Sequence, residues 1–144
     1  MVAAIGGLLV GIAAVAGVLV TMLANLHHET PRPSVAVTCT APTNLRPGRT
    51  VTLVYNISAT KPVKVGLGAG LYDPDGSDYS DGSGDVDEYA LGAGRVTASR
   101  PFTVPTGLDR GRYELVAEIW PANNIGAEGV DTLADQPCGY IDIP

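Results

Sequence analysis

The residues that most often carry catalysis are scarce in this sequence. It holds two adjacent histidines, His27 and His28, and two cysteines, Cys39 and Cys138. A Ser–His–Asp arrangement, a phosphate-binding loop or a thiol nucleophile cannot be assembled from this inventory. The histidine pair has no second cluster of metal ligands, so we interpret it as interfacial polar residues rather than a metal or haem site. We therefore predict that the protein is not an enzyme.

Positive charge is also scarce. The chain has nine basic and fifteen acidic residues, which gives a net charge of -6, and all of these residues follow residue 26. An acidic surface of one sign argues against nucleic acid and anionic lipid as partners. Pairs of carboxylates could still perform acid–base chemistry, but the candidate pairs lie in a polar loop without apolar surroundings that would raise a pKa.

The first part of the chain has no charge at all. Residues 2–26 are apolar except for Thr21 and Asn25, and as a helix they would span about 37 Å, more than the roughly 30 Å core of a bilayer. A cleaved signal peptide is the alternative, but it would have a basic start and a shorter apolar stretch. We predict a single-pass transmembrane helix over 1–26, a proline-containing linker over 27–33 and a domain over 34–144, in a cell membrane of prokaryotic type.

Small residues recur every four positions along the predicted helix, at Ala3, Gly7 and Gly11. This spacing lets two backbones approach closely. It favours packing against other transmembrane helices or identical subunits, and a lone anchor remains the alternative.

From Ser34 onward the apolar residues alternate with polar ones, which is typical of half-buried strands. Arg100 falls on the inward parity beside Pro101, so we expect a bulge or an edge position there. A second bulge is expected at Gly139. The seven predicted strands cover residues 35–40, 50–57, 63–71, 89–91, 96–104, 113–120 and 138–143.

The spacing of Asp109, Gly111 and Tyr113 before an alternating strand resembles the tyrosine corner of immunoglobulin domains. The resemblance implies an immunoglobulin-like seven-stranded β-sandwich in which the Tyr113 hydroxyl bonds to the backbone upstream. Leu115 occupies the place of the second core cysteine, and the third strand has no tryptophan, so the likeness is to the broader class. The chain resembles single-pass membrane proteins that display one such sandwich outside the cytoplasm.

The two cysteines stand near the two ends of the domain. In an extracytoplasmic domain such a pair usually forms a disulfide, whereas two buried reduced thiols would indicate a cytoplasmic domain. The resemblance also implies that the first and last strands are neighbours, which would bring Cys39 and Cys138 together. We predict the disulfide, and with it an extracytoplasmic β-domain.

Three polar or glycine-rich features each allow a functional and a structural interpretation. Gly66, Gly68 and Gly70 share one face of the third strand. Either another backbone or a flat ligand approaches this face, or the face is exposed to solvent and has no particular role. Asn56-Ile57-Ser58 is an N-glycosylation sequon inside a predicted strand, but one such match arises easily by chance, so the sequence alone gives it no functional weight. Six aspartates of a polar loop could ligate Ca²⁺, but their spacing does not match an EF-hand, and Asp-Gly turns with solvated charge are the favoured interpretation: Asp73, Asp75, Asp78, Asp81, Asp85 and Asp87.

These features predict a non-catalytic interaction module, an accessory or structural subunit of a larger membrane complex without a cofactor. One alternative is a subunit of a helix-cored extracellular filament, similar to archaeal flagellins and pilins. Another is a Ca²⁺-dependent carbohydrate-binding domain, for which exposed aromatic residues are few: Trp120, Tyr72 and Tyr79.

Overall fold

The regular structure of the domain consists of β-strands, as the alternation predicts. The computed structural model describes residues 32–144. The predicted helix over 1–26, with Ala3, Gly7 and Gly11, lies outside the described residues. Between residues 32 and 144 there is no helix of the length and apolarity that a membrane span requires. The strands are β1 (Val35–Thr40), β2 (Thr50–Ala59), β3 (Val63–Tyr72), β4 (Val86–Leu91), β5 (Gly94–Thr103), β6 (Gly111–Pro121) and β7 (Ala134–Ile143).

The strands form two antiparallel sheets. Sheet A has the order β1-β2-β5, and sheet B has the order β4-β3-β6-β7. Their apolar faces meet in one core within the unit Pro33–Pro144. This arrangement confirms the predicted β-sandwich of seven strands.

The core is built from the inward positions of the three central strands. Leu53 and Tyr55 of β2 are fully buried, as are Leu67 of β3 and Leu115 of β6. Burial of each such side chain contributes about 1.5–3 kcal/mol relative to an exposed one. The Tyr55 hydroxyl donates to the Gly68 carbonyl at 2.7 Å, so a hydrogen bond joins the sheets inside the core. Burial raises the pKa of Tyr55 to about 12, which keeps this donor protonated.

A disulfide joins the two sheets at one edge of the sandwich. Cys39 of β1 and Cys138 of β7 are bonded, with their Cα atoms 5.2 Å apart. The predicted pairing is therefore confirmed. The bridge closes a loop with a sequence separation of 99, which in the chain-entropy model contributes up to roughly 4.7 kcal/mol.

Two strands begin three or more residues earlier than the sequence pattern predicts. β4 starts at Val86 instead of residue 89, and β7 starts at Ala134 instead of Cys138. Both are edge strands of sheet B. Their first residues pair with the neighbouring strand through the backbone and expose polar side chains, such as Asp135 and Gln136. The sequence therefore shows no apolar alternation at these residues.

The two predicted irregularities take different forms. β7 has a register shift where Leu115 pairs with Gly139 and Val116 with Pro137, so Cys138 is the extra residue, beside the predicted position. β5 runs in unbroken register along β2 and forms the edge of sheet A. Arg100 is therefore an edge position without a bulge.

The connection from β5 to β6 is fastened by a buried tyrosine. Tyr113 is 3% exposed, and its hydroxyl donates to the Asp109 carbonyl at 3.1 Å. The rings of Tyr79 and Tyr113 meet edge to face at a centroid distance of 5.4 Å. Tyr79 belongs to the β3–β4 loop, so this pair also fixes where that loop crosses the sandwich.

Candidate binding face

The outer surface of sheet B carries a cluster of glycine, aromatic and acidic residues, which we call the aromatic face. Its floor is the row of three β3 glycines, all of them buried although they point away from the core. Outward residues of β3 and β6 cover the floor. The aromatic face consists of Gly66, Gly68, Gly70, Tyr72, Glu118 and Trp120.

The glycines make room for side chains of the same chain. A Cβ at Gly68 would lie 2.9 Å from the Trp120 Nε1 atom, and one at Gly70 would overlap the Tyr72 ring. A Cβ at Gly66 would lie 2.6 Å from Ile125, which comes from the β6–β7 loop. Neither expected alternative for this face describes it, since the chain's own side chains fill the space above the glycines.

Glu118 lies between the two aromatic side chains and is 7% exposed. The Tyr72 hydroxyl donates to its Oε1 atom at 2.5 Å, and the Trp120 indole N–H donates to its Oε2 atom at 2.8 Å. Charge-assisted hydrogen bonds of this type are about twice as strong as neutral ones. The carboxylate therefore holds both rings in fixed orientations over the glycine floor.

Burial is the main cause that raises the pKa of Glu118 above its ordinary value, while the hydrogen bonds from Tyr72 and Trp120 act in the opposite direction. The charges of Asp78 and Asp135 raise the pKa further. Burial, followed by the bond to Glu118, also raises the pKa of Tyr72. A negative field thus surrounds the aromatic face.

A cleft of about 410 Å³ opens beside the aromatic face. Tyr72, Glu118 and Trp120 form one wall, and the β6–β7 loop and the start of β7 form the other. Its lining contains three carboxylates and no basic residue. The residues of the second wall include Val130, Asp131, Thr132 and Asp135.

The β6–β7 loop is held against sheet B by backbone hydrogen bonds. The Asn123 N–H donates to the Asp87 carbonyl at 2.8 Å, and the Leu133 N–H donates to the Ile119 carbonyl at 2.7 Å. These bonds, with Ile125 packed on Gly66, keep the loop over the floor. The cleft therefore has walls that are defined by the fold.

The aspartates of the β3–β4 loop act mainly as turn residues. The Asp73 Oδ1 atom accepts from the N–H groups of Asp75 and Ser77, both at 2.9 Å. The Asp78 Oδ1 atom accepts from Leu71 and Ser80 in the same way. The bond from Ser77 is the main cause that lowers the pKa of Asp73. These hydrogen bonds fit the turn interpretation of the loop.

The six predicted cation ligands do not converge. Asp81 caps the N–H of Ser83, and Asp85 turns inward to Arg100, while Asp87 lies in β4. In the part of the chain that the structure describes, no three histidine, cysteine or acidic residues are grouped to hold a metal ion.

Asp85 and Arg100 form a buried ion pair at the edge opposite the disulfide. The side chain of Arg100 is 1% exposed and that of Asp85 is 18% exposed, and their Nη1 and Oδ1 atoms lie 2.6 Å apart. Arg100 also donates from Nη2 to the Ser83 carbonyl at 2.9 Å. Burial outweighs the attraction of Arg100 and raises the pKa of Asp85. The pair fastens the β3–β4 loop to β5.

Sequence reasoning did not single out Glu118. A signal was present, since Glu118 shares its parity with outward Trp120 and pairs with Gly68 across the sheet. An acidic residue opposite glycine, next to a tryptophan on the same face, has space to fold under the ring.

No protein-family description and no curated protein matches the chain. Among solved structures, it is similar to a β-glucuronidase from glycoside hydrolase family 2, with 14% sequence identity and a TM-score of 0.39. The similar region covers 76% of this chain and 11% of the enzyme's chain. A likeness at this level carries no argument about function.

Proposed function

We propose that the protein is a non-catalytic interaction module held at a cell membrane, with its β-domain outside the cytoplasm. The aromatic face is its contact surface. The observation that carries this proposal is the pair of half-buried rings, Trp120 and Tyr72, fixed by one buried carboxylate on the solvent side of a sheet. Ordered aromatic side chains beside a cleft are typical of the centres of protein interfaces.

The proposed class of the domain is immunoglobulin-like. Two features support it: the three-plus-four strand arrangement, and the bond from Tyr113 to Asp109 across the β5–β6 connection. Domains of this class serve many functions, so the proposed activity depends on the aromatic face and not on the class.

Charge favours a partner with a basic contact region. Glu118, Asp131 and Asp135 line the cleft without a basic neighbour, and the whole chain carries a net charge of -6. Complementary charge speeds association and excludes partners of the wrong sign. Binding should therefore weaken as ionic strength rises.

A non-catalytic role fits the state of the buried carboxylate. Both oxygens of Glu118 accept hydrogen bonds from neighbouring rings, and a general base needs an oxygen that can reach a substrate proton. The arrangement orients the rings and provides a surface for recognition.

Affinity purification of the tagged full chain from detergent-solubilised membranes tests this proposal. Wild type should retain a stoichiometric partner, and Asp131→Lys and Asp135→Lys should lose it, since both reverse charge at the cleft. The matched control is Asp75→Lys, which makes the same change in the β3–β4 loop, away from the lining. Equal loss in all three variants, or a monomeric wild type, would reject the aromatic face as the contact surface.

The same purification distinguishes the filament alternative. A filament subunit would recover identical subunits alone, and negative-stain images of the preparation would show fibres. An accessory subunit would recover a different protein in a fixed ratio.

A carbohydrate ligand is the second candidate, because Trp120 and Tyr72 lie together on one carboxylate. Trp120 is the sole tryptophan of the chain, so its fluorescence reports directly on this face. Titration with neutral and acidic oligosaccharides, with Ca²⁺ and with a chelator, should shift the emission if this candidate is right. Unchanged emission in both series would exclude it.

A further inference from the structure

The sequon Asn56-Ile57-Ser58 lies on the outer surface of sheet A. β2 is the central strand of that sheet, and register places Asn56 directly between Thr38 of β1 and Thr97 of β5. Ile57 points into the core and is 1% exposed, whereas Asn56 is exposed. The strand therefore presents the asparagine of the motif to solvent.

The amide of Asn56 is oriented by one hydrogen bond. The Thr97 hydroxyl donates to the Asn56 Oδ1 atom at 3.1 Å. Between residues 32 and 144 the Nδ2 atom has no hydrogen-bond partner. The oxygen end is fixed toward β5, and the nitrogen, which is the atom that a glycan would join, remains available.

The surroundings of Asn56 leave space for a sugar. A shallow groove of about 470 Å³ runs over this part of sheet A. Apart from Arg95, the side chains that flank Asn56 in the groove are small. They are Ala36, Thr38, Ser58 and Thr97.

The disulfide between Cys39 and Cys138 is typical of an oxidising compartment. N-linked glycans are attached to chains that reach such compartments. This step of the argument rests on the extracytoplasmic placement in the proposed function.

We propose that Asn56 carries an N-linked glycan. The Nδ2 atom attacks the anomeric carbon of an oligosaccharide that a membrane transferase presents on a polyprenyl phosphate or diphosphate. The bond from that carbon to the phosphate oxygen breaks, the new carbon–nitrogen bond forms, and the amide releases one proton. The lipid phosphate leaves with the electron pair, and no redox change occurs. The glycan covers sheet A and leaves the aromatic face free.

Peptide mass spectrometry of the full chain from the cells that make it tests the proposal. Trypsin should cut after Arg49 and Lys64 but not at Lys61, which precedes Pro62, so the peptide over 50–64 contains Asn56 as its sole asparagine. We expect an oligosaccharide mass on this peptide. Ser58→Ala should abolish it, and Ser58→Thr should retain it, because threonine preserves the sequon.

The state of the cysteines separates the possible failures. An unmodified peptide in protein whose Cys39–Cys138 bridge is intact would overturn the glycan assignment alone. An unmodified peptide together with two free thiols would place the domain in a reducing compartment and overturn the proposed placement as well. Modification that survives Ser58→Ala would also contradict the assignment, since it would not depend on the sequon.

Discussion

The two outer faces of this sandwich use the same strand geometry for different surfaces. Sheet A presents short polar side chains in rows, such as Thr38, Asn56 and Thr97. Sheet B presents glycines, and the rings of Tyr72 and Trp120 pack above them and donate hydrogen bonds to a buried carboxylate. Alternation places residues on a face, but the size of the side chains on the neighbouring strand decides whether that face stays open or becomes a second packed layer.

The largest expected effect concerns the disulfide, which joins the two sheets. Replacing both cysteines, as Cys39→Ala with Cys138→Ala, should lower the free energy of unfolding by about 2–5 kcal/mol, because the unfolded chain loses its long closed loop. Urea unfolding of the β-domain without reductant measures this change. A midpoint equal to that of wild type would show that the bridge does not fasten the sheets.

The opposite edge depends on the buried ion pair. Asp85→Asn leaves Arg100 buried without its counter-charge, and we expect a loss of about 3 kcal/mol. Asp87→Asn removes the same charge from an exposed position two residues away and should cost at most about 0.5 kcal/mol. Equal urea midpoints for the two variants would mean that other groups or water compensate the charge of Arg100 when Asp85 is neutral.

A smaller effect distinguishes the packed glycines from ordinary ones. Gly70→Ala places a methyl group against the Tyr72 ring, which must move away from Glu118, so we expect a loss of about 1–3 kcal/mol. Gly92→Ala is the control, since nothing lies within 4 Å of its added Cβ. If both variants unfold at the same urea concentration, the floor of the aromatic face is not packed as described.

The smallest effect concerns pH. Because the pKa of Glu118 is raised in the folded state, the folded protein keeps this carboxyl group protonated at pH values just above 4.5, its ordinary pKa. The unfolded chain has already released the proton at these pH values. The free energy of unfolding of wild type should therefore fall, relative to that of Glu118→Gln, as the pH rises from about 4 to about 7. Parallel urea curves over this range provide the measurement. A difference that grows with pH would contradict the sign.

The sandwich was predictable from local alternation, and the disulfide was predictable from the resemblance to immunoglobulin-like sandwiches. Alternation identified the inward residues of β2 and β3, and Cys39 and Cys138 stood on strands expected to be neighbours. The inward parity of Arg100 was visible too, but its partner was not, since Asp85 is one of five aspartates in the β3–β4 loop.

The aromatic face could not be predicted in the same way. The row of glycines indicated that something lies above β3, but Ile125, Trp120 and Tyr72 come from three separate segments. Which of them fills each space depends on the path of the β6–β7 loop, and turn-rich sequence does not specify that path.

Site-specific photo-crosslinking tests the central claim most directly. A photoreactive amino acid replaces Val116, which lines the cleft of sheet B, or Thr52, which is exposed on sheet A. After irradiation of intact cells, the Val116 variant should form a discrete crosslinked product with a partner protein, and the Thr52 variant should not. A product from Thr52 with none from Val116 would show that the partner binds sheet A, and the aromatic face would then be packing without a role in recognition.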